Sequence, residues 1–533
     1  MKSSLFFILF VSSFFLNAQK GETNLMDSIS YWQFDQFGKD SFSGISSDLS
    51  SVVLSKNEND KVIIALIDSD IDVNHHYLNK YIWANTKEVK SNNLDDDKNG
   101  YIDDIHGWNF LAKGDKKIIK YANNTSIRFT RAFKQKYERL SKKKGKLNSK
   151  ELDFLATYNK ALNTIKEEKM RLAPYEEYIE WYETSQIASD SLLLTYDFKK
   201  PYNLSSLDSL FNEVYTKGND EERGRLIYFS LDKLKNNREE DYKLSLDYLN
   251  KNKYYALNEN LTENHSSINN TFPKLGSNRL DINISNEKHG TQIGGVIVKT
   301  YKAITENLPD EAENIEIMPI SIFPENGAEF EEDIAKAIRY AVNNGADIIN
   351  YSSSIRFLLK PSLLYEALLY AEKHNVLIVT SAGNTGENLD KIMTHPRKKY
   401  KKYRLSNLIM VGMSDSTIGP NLKPIHGNYG KETVDLFAPG TDFLTTNPKN
   451  EYFKTSGSSI SSAIVATTCA TIKLYHPKLK AAEIREIILQ SVSKYNGEIF
   501  LDEGGKTKVL FTDLCMAGGI LNVENAFKLA VKK

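Results

Sequence analysis

The chain has 533 residues, of which 41% are hydrophobic and 26% charged, as is ordinary for a soluble globular protein with one large core or two moderate ones. Lysine plus arginine and aspartate plus glutamate are balanced at 69 each, which argues against nucleic acid or an anionic membrane as a bulk partner. The two cysteines, Cys469 and Cys515, exclude a disulfide framework but allow a single bridge.

Residues 1–18 have the pattern of a secretory signal peptide. One lysine precedes an apolar run, and Ala18 offers a small residue for cleavage. The run is too short for a membrane span, and no other segment approaches about 18 consecutive apolar residues. We therefore expect an exported protein, soluble in the periplasm or outside the cell, with no transmembrane anchor. Residues 19–59 form a polar N-terminal segment.

The first part of an α/β domain is predicted at residues 60–111. It begins with Lys61–Asp68, an apolar run rich in β-branched residues that is typical of a buried parallel strand and ends in a carboxylate. Catalytic residues of open α/β sheets gather at the carboxyl ends of strands, although a lone aspartate there is more often a helix N-cap.

An acidic loop, Asp95–Asp104, lies in the same part of the chain. Its candidate oxygen ligands are Asp95, Asp97, Asn99 and Asp103. With the sharp turn at Gly100, this spacing suits a hard cation such as calcium, but His106 replaces the bidentate glutamate expected at position twelve. The loop predicts either a structural calcium site or a solvated acidic turn.

Residues 112–264 are predicted to form an α-helical insertion. Lysine, glutamate, leucine and tyrosine dominate this segment, and glycine is sparse. Stretches such as Ser149–Met170 place apolar residues at helical spacing with charged residues between them.

Residues 265–533 return to alternating strands and helices. The predicted strands are Ile315–Ile322, Ala346–Asn350, Val376–Ala382, Leu408–Gly412 and Val434–Phe437, and the predicted helices include Glu331–Gly345 and Ser362–His374. Such alternation is typical of a parallel sheet that is covered on both faces. We therefore predict an α/β fold with a doubly wound parallel β-sheet, flanked by helices on both faces and interrupted by the helical insertion.

Four residues with complementary chemistry stand at the ends of these elements. Asp68 and Asn384 end predicted strands, while His289 and Ser459 stand where glycine-containing turns enter apolar helices. A serine nucleophile needs a base, a carboxylate that orients the base, and donors for the oxyanion. By itself the serine-rich turn at Ser459 would be interpreted as a helix N-cap, but the four residues together favour acyl transfer by serine.

The motifs around these residues resemble those of the subtilisin-like serine peptidases, the subtilase family. The matching stretches are Asp68-Ser-Asp-Ile-Asp72, His289-Gly-Thr, Ala382-Gly-Asn384, Ala438-Pro-Gly440 and Gly457-Ser-Ser459, and the order Asp, His, Ser is that of subtilisin. The resemblance covers residues 60–109 and 280–529. The acidic loop and residues 331–350 most resemble a secreted branch of the Bacteroidetes type.

The resemblance implies a role for each of these residues. Ser459 would be the nucleophile, His289 the general base and then acid, and Asp68 the partner that orients the imidazole. The Asn384 amide and the Ser459 N–H would form the oxyanion hole, and Ser352 would line the substrate groove. The resemblance further implies protein or peptide substrates and no cofactor for the chemistry. The balanced charge predicts no nucleic-acid partner, and structural calcium remains one of the two alternatives for the acidic loop.

Several positions depart from the family pattern. They are Asp70 for glycine, Gln292 for histidine, Ser458 for threonine, Ser461-Ser-Ala463 for Ala-x-Pro, and Ser352-Ser-Ser354 for Ser-Leu/Phe-Gly. Ser354 in place of glycine narrows the approach of an extended peptide. The alternative is a weakly active or inactive binding or scaffold protein on the same fold. A metal-dependent hydrolase fits poorly, because the chain has no His-Glu-x-x-His motif.

Overall fold

The computed structural model describes residues 32–52, 61–112, 118–198, 202–217, 221–261, 276–284, 287–306 and 314–533. The predicted signal peptide, residues 1–18, lies outside the described residues. Within the described ranges, no helix combines the length and the apolar character needed to span a bilayer.

A nine-stranded sheet forms the centre of the molecule. The strands of the described residues, in chain order, are β1 (Val62–Asp68), β2 (Trp108–Asn109), β3 (Ile315–Ser321), β4 (Ile348–Tyr351), β5 (Leu377–Ser381), β6 (Lys399–Tyr400), β7 (Tyr403–Arg404), β8 (Leu408–Ser414), β9 (Leu436–Pro439), β10 (Phe443–Asn447), β11 (Glu451–Thr455), β12 (Ser493–Lys494), β13 (Glu498–Phe500), β14 (Lys508–Leu510) and β15 (Gly519–Ile520). The pairs β6–β7, β10–β11 and β13–β14 form separate two-stranded sheets, and the other nine strands form the central sheet. The order in the sheet is β12-β15-β9-β8-β5-β4-β1-β3-β2. Its strands pair in parallel except β12, which is antiparallel to β15.

The helices fall into two groups. The first group comprises α1 (Thr125–Ser141), α2 (Ser149–Met170), α3 (Ala173–Thr195), α4 (Leu204–Phe211), α5 (Glu221–Lys235) and α6 (Arg238–Lys251). The second comprises α7 (His289–Thr305), α8 (Glu331–Asn343), α9 (Pro361–Lys373), α10 (Ser458–Tyr475), α11 (Ala481–Gln490) and α12 (Val523–Ala530). Short 3₁₀ turns lie at Lys39–Ser41, Asn79–Tyr81 and Phe511–Asp513, and π-type turns at Asn212–Lys217 and Asn252–Ala256.

Helices cover both faces of the sheet, as the sequence predicts. Successive residues of a strand point to opposite faces, so Ile64 and Leu66 of β1 pack with α7 and α10, whereas Ala65 and Ile67 pack with α8 and α9. Helix α10 runs through the core against β1, β4, β5, β8 and β9 and lies beside α7. The prediction of a doubly wound parallel sheet is therefore confirmed.

The first group of helices is attached to the sheet domain through α1. The Arg128 guanidinium donates to the carbonyls of Glu329 at 2.7 Å and Ala328 at 2.8 Å. Phe129 packs on Phe357 with ring centroids 5.7 Å apart, and both rings are buried. Most described residues of this segment are helical, while its limits at 112 and 264 stay a prediction.

Candidate active site

Asp68 is the last residue of β1, and its carboxylate is fully buried at the carboxyl edge of the sheet. Its Oδ1 accepts the Ser69 N–H at 2.7 Å and lies 2.6 Å from Nδ1 of His289, the first residue of α7. Because a carboxylate only accepts, Nδ1 carries the proton, and Nε2 of the neutral ring is left as a proton acceptor. The His289 side chain is 35% exposed, so the ring remains open to a ligand.

The charge environment of His289 favours its protonated form. Burial lowers the pKa of His289, but the charge and hydrogen bond of Asp68 and the charge of Glu287 outweigh burial, so the pKa lies above its ordinary value. Burial, with the charges of Asp68 and Glu325, raises the pKa of Glu287 itself to about 8. The neutral form of His289, which can act as a base, is therefore populated at higher pH than for an unperturbed imidazole.

The residues after His289 fix the start of α7. The Thr291 hydroxyl accepts the Asp72 N–H at 2.9 Å, and the Thr291 carbonyl accepts the Thr446 hydroxyl at 2.6 Å. Gln292, which departs from the family pattern, donates to Asn447 Oδ1 at 3.3 Å. Thr291 and Gln292 therefore hold the start of α7 to the neighbouring segments. Two of these bonds go to the β10–β11 hairpin, which was not predicted from the sequence.

Asp70, which replaces a glycine of the family pattern, forms hydrogen bonds that have a structural role. Its carboxylate is buried and accepts the Asn109 side-chain amide at 2.9 Å and the Asn283 N–H at 2.8 Å. Burial is the main cause that raises the pKa of Asp70. The carboxylate ties the turn after β1 to β2 and to the segment before α7, which stabilises the surroundings of Asp68.

Asn384 follows β5 and meets the first residue of α10. Its Oδ1 accepts the Ser458 N–H at 2.9 Å, and the Gly383 N–H donates to Ser458 Oγ at 3.0 Å. With Oδ1 engaged, the exposed Asn384 side chain has its NH₂ group available as a donor. Ser458, the third departure, therefore connects the residues around Asn384 to the helix that carries Ser459.

Ser459 lies on the first turn of α10 and is partly exposed. Among the described residues, no hydrogen bond joins its hydroxyl to His289, a separation that is common in free enzymes. Ser461, on the first turn of α10, joins this helix to the end of β9, because its hydroxyl lies 2.9 Å from the Ala438 carbonyl and 3.1 Å from the Pro439 carbonyl. The structure thus pairs Asp68 with His289 and Asn384 with the start of α10, while α7 and α10 lie side by side.

Ser352 lies directly after β4 and is buried. Its hydroxyl accepts the Asn350 side-chain amide at 2.8 Å and lies 3.1 Å from Ser462 Oγ. This side chain therefore connects the end of β4 to α10. A groove role for Ser352 stays a prediction.

The acidic loop brings together a different set of carboxylates from the predicted one. Oxygens of Glu88, Asp95 and Asp97 lie within 4.8 Å of one another. Burial, followed by the charge of Asp97, raises the pKa of Glu88, as expected where carboxylates are crowded. Such a set of oxygens fits a hard cation.

The carboxylates of Glu88, Asp95 and Asp97 also accept backbone N–H groups of the loop, and so do the other two predicted ligands. The Asp103 carboxylate accepts the N–H groups of Asn92 at 3.2 Å and Asn93 at 2.9 Å, and Asn99 Oδ1 accepts the Tyr101 N–H at 2.7 Å. Glu88 was not predicted from the sequence, because it precedes the loop motif and carries no spacing signal of its own.

Comparisons with known proteins agree with this geometry. The sequence model of the peptidase S8 or subtilase family matches residues 59–507. The chain is 30% identical over 209 residues to the thermophilic serine proteinase of Bacillus sp. strain AK1, covering 39% of this chain and 48% of that protein. It is 26% identical over 225 residues to subtilisin DY of Bacillus licheniformis, covering 42% and 76%. The chain thus spans about half the length of the first of these relatives.

Solved structures give a weaker similarity. A lanthipeptide protease matches with a TM-score of 0.35 and 24% identity, covering 45% of this chain and 75% of that chain. A structure of the subtilase cytotoxin SubAB assembly matches with a TM-score of 0.36 and 21% identity, covering 46% and 77%.

Proposed function

Because the chain belongs to the subtilase family, we propose that it is an exported serine endopeptidase that hydrolyses peptide bonds through an acyl-enzyme intermediate. The observation that carries this proposal is the 2.6 Å contact between His289 Nδ1 and the buried carboxylate of Asp68. A buried carboxylate on a partly exposed imidazole is the pair that a serine nucleophile requires. The relatives that bear the name subtilisin or serine proteinase support the same activity.

In the proposed reaction, proton transfer runs through His289. Its Nε2 takes the proton of the Ser459 hydroxyl while the oxygen attacks the scissile carbonyl carbon, and Asp68 stabilises the imidazolium that forms. The imidazolium then gives the proton to the leaving amine, which leaves an acyl group on Ser459. Water repeats the sequence and releases the acid, with His289 again as base.

Charge on the carbonyl oxygen would be stabilised by two donors. The Asn384 NH₂ group is one, since its Oδ1 is already engaged by the Ser458 N–H. The Ser459 N–H at the start of α10 is the other, because the first N–H groups of a helix have no partner within the helix. Both donors are part of the folded protein before substrate binds, so no reorganisation is required in the transition state.

Calcium would serve stability alone in this proposal. Glu88, Asp95 and Asp97 would hold the ion, and none of the three is among the residues proposed for proton transfer. Bound calcium would neutralise the three carboxylates and fix the loop. Hydrolysis itself would use no cofactor.

A binding role is the second candidate, and a cavity in the helical segment favours it. The cavity has a volume of about 890 Å³ and lies between α3, α5 and α6. Aromatic side chains line it, among them Tyr182, Tyr202, Phe229 and Tyr242. A protein that had lost catalysis could use this concave surface to hold a partner.

The deciding experiment is labelling of the mature protein with a fluorophosphonate. Wild-type protein is expected to take the label on Ser459, and Ser459→Ala and His289→Ala are each expected to abolish it, because the triad works as a unit. Ser456→Ala, which changes an exposed serine three residues earlier, is the matched control and should label normally. Folded wild-type protein that takes no label at any pH would leave the binding role as the better account.

A further inference from the structure

A buried asparagine from a distant part of the chain holds the loop that carries Asn384. Asn428 is 4% exposed, and its Nδ2 donates to the Ala382 carbonyl at 2.8 Å. Its Oδ1 accepts the N–H groups of Thr385 at 3.1 Å and Glu387 at 2.7 Å. A single side chain therefore bonds to the backbone on both sides of Asn384.

The loop needs this support because two of its residues are glycines in the left-handed region. Gly383 has φ +95° and Gly386 has φ +72°, conformations in which glycine is unconstrained by a side chain. A β-carbon on Gly383 would lie 2.8 Å from Asn428 Nδ2, so the glycine is also what admits the asparagine. The Asn428 N–H adds a bond to the Gly383 carbonyl at 3.1 Å.

The segment that carries Asn428 is itself fixed from inside. Lys423 is 1% exposed, and its ammonium donates to the carbonyls of Pro424 at 2.6 Å and Gly427 at 2.9 Å. The Gly386 N–H donates to the His426 carbonyl at 2.6 Å, which joins the two segments once more. Asn428 therefore acts from a rigid support and not from a free loop.

We propose that Asn428 is a positioning residue that holds the Asn384 amide where it stabilises the oxyanion. This inference rests on the proposed peptidase function. Asn428 touches neither Ser459 nor His289 through a described hydrogen bond, so its effect on turnover would pass through Asn384. An effect of this kind lowers kcat, because a misplaced donor is missed chiefly in the transition state.

A double-mutant cycle with Asn384 tests the inference. Asn428→Ala is expected to lower kcat on a peptide substrate by between about 10-fold and about 100-fold, with KM changed by less than about threefold. In the Asn384→Ala background the same change should lower kcat by less than about threefold, since the group that it positions is gone. Equal losses in both backgrounds, or lost thermal stability with unchanged kcat, would overturn the inference.

If Asn428→Ala does not fold, a second variant, Asn428→Asp, tests the same inference. Asn428→Asp keeps an oxygen for the N–H groups of Thr385 and Glu387 and loses the donor to Ala382. Its loss of kcat must also vanish in the Asn384→Ala background. A loss of the same size in both backgrounds would count against the positioning role.

Asn407 offers a matched control at the other end of β5. It is 1% exposed, and its Nδ2 donates to the Val376 carbonyl at 2.7 Å, just before that strand. Asn407→Ala should lower thermal stability but leave kcat within about twofold; an equal loss of kcat would assign the Asn428 effect to general weakening of β5. Wild-type protein that takes no fluorophosphonate overturns the proposed function as well, whereas an active wild type with additive losses overturns this inference alone.

Discussion

The Gly290 N–H donates to the Ser69 hydroxyl at 2.9 Å, and a β-carbon on Gly290 would lie 2.5 Å from the Ser69 carbonyl oxygen. No side chain fits in that space, because real β-carbons do not approach a carbonyl oxygen so closely. This close contact packs the first turn of α7 against Ser69, the residue that follows Asp68. It therefore sets the separation between Asp68 and His289.

Gly290→Ala is expected to lower kcat by about 100-fold, because the β-carbon pushes α7 outward and moves His289 away from Asp68. Gly294→Ala, one turn further along α7, is the control. Its β-carbon would meet the ends of the Ile71 and Leu78 side chains, which can shift. Turnover and thermal unfolding of both variants give the comparison, and equal activity of the two would contradict this account of the Gly290 contact.

The raised pKa of His289 predicts activity that increases with pH to a midpoint above the ordinary histidine value of about 6.5. The sign follows from the need for neutral imidazole: a higher pKa moves the rise in kcat/KM to higher pH. Asp68→Asn removes the carboxylate charge, so the midpoint should move to lower pH while kcat falls by about 10⁴-fold. If the midpoint does not move in the Asp68→Asn variant, the Asp68 charge does not raise the pKa of His289.

Asn384→Ala should leave folding and labelling of Ser459 detectable but reduce kcat by about 10²–10³-fold, the usual loss for one preorganised oxyanion donor. The measurement is steady-state turnover of a peptide substrate, with thermal unfolding as the check on folding. Asn388→Ala, a few residues further along the same loop, serves as the comparison for nonspecific loop damage. A change of less than about threefold for Asn384→Ala would show that the amide points elsewhere.

Chelation is expected to lower the unfolding temperature, and added calcium to restore it, because a ligand that binds only the native state stabilises that state. Glu88→Gln and Asp97→Asn should each remove the calcium dependence, since their carboxylates are two of the three that converge. Glu503→Gln, at an exposed site, should retain it. Identical melting curves with EDTA and with millimolar calcium would identify the loop as a solvated turn.

Replacing residues 113–264 with a short linker should preserve the sheet domain but lower its unfolding temperature. The reason is that the deletion removes Arg128, which donates to the Glu329 carbonyl, and Phe129, which covers the Phe357 ring. Circular dichroism and ester hydrolysis would report fold and activity, and Arg128→Ala alone should reproduce part of the loss. A deletion variant that does not fold would show that the sheet domain depends on these helices.

Much of the fold followed from local pattern. The runs that became β1, β3, β4, β5, β8 and β9 are apolar and β-branched, and a strand buried on both faces must be so. Helix α10 was recognisable because Ile460, Ile464 and Ile472 share one face, and all three are buried. The β10–β11 hairpin was not predicted, because β11 is partly exposed and lacks a continuous apolar run.

For the candidate site, the sequence by itself determined which residues stand at strand ends and helix starts: Asp68, His289, Asn384 and Ser459. Backbone periodicity and glycine placement are local properties, so a linear pattern contains them. Only the tertiary structure decided which groups meet: Asp68 with His289, Asp70 with Asn283, Glu88 with Asp97, and Asn428 with the loop around Asn384. Hydrogen bonds between residues far apart in sequence depend on how the sheet and its helices pack, and residue spacing along the chain carries no record of that packing.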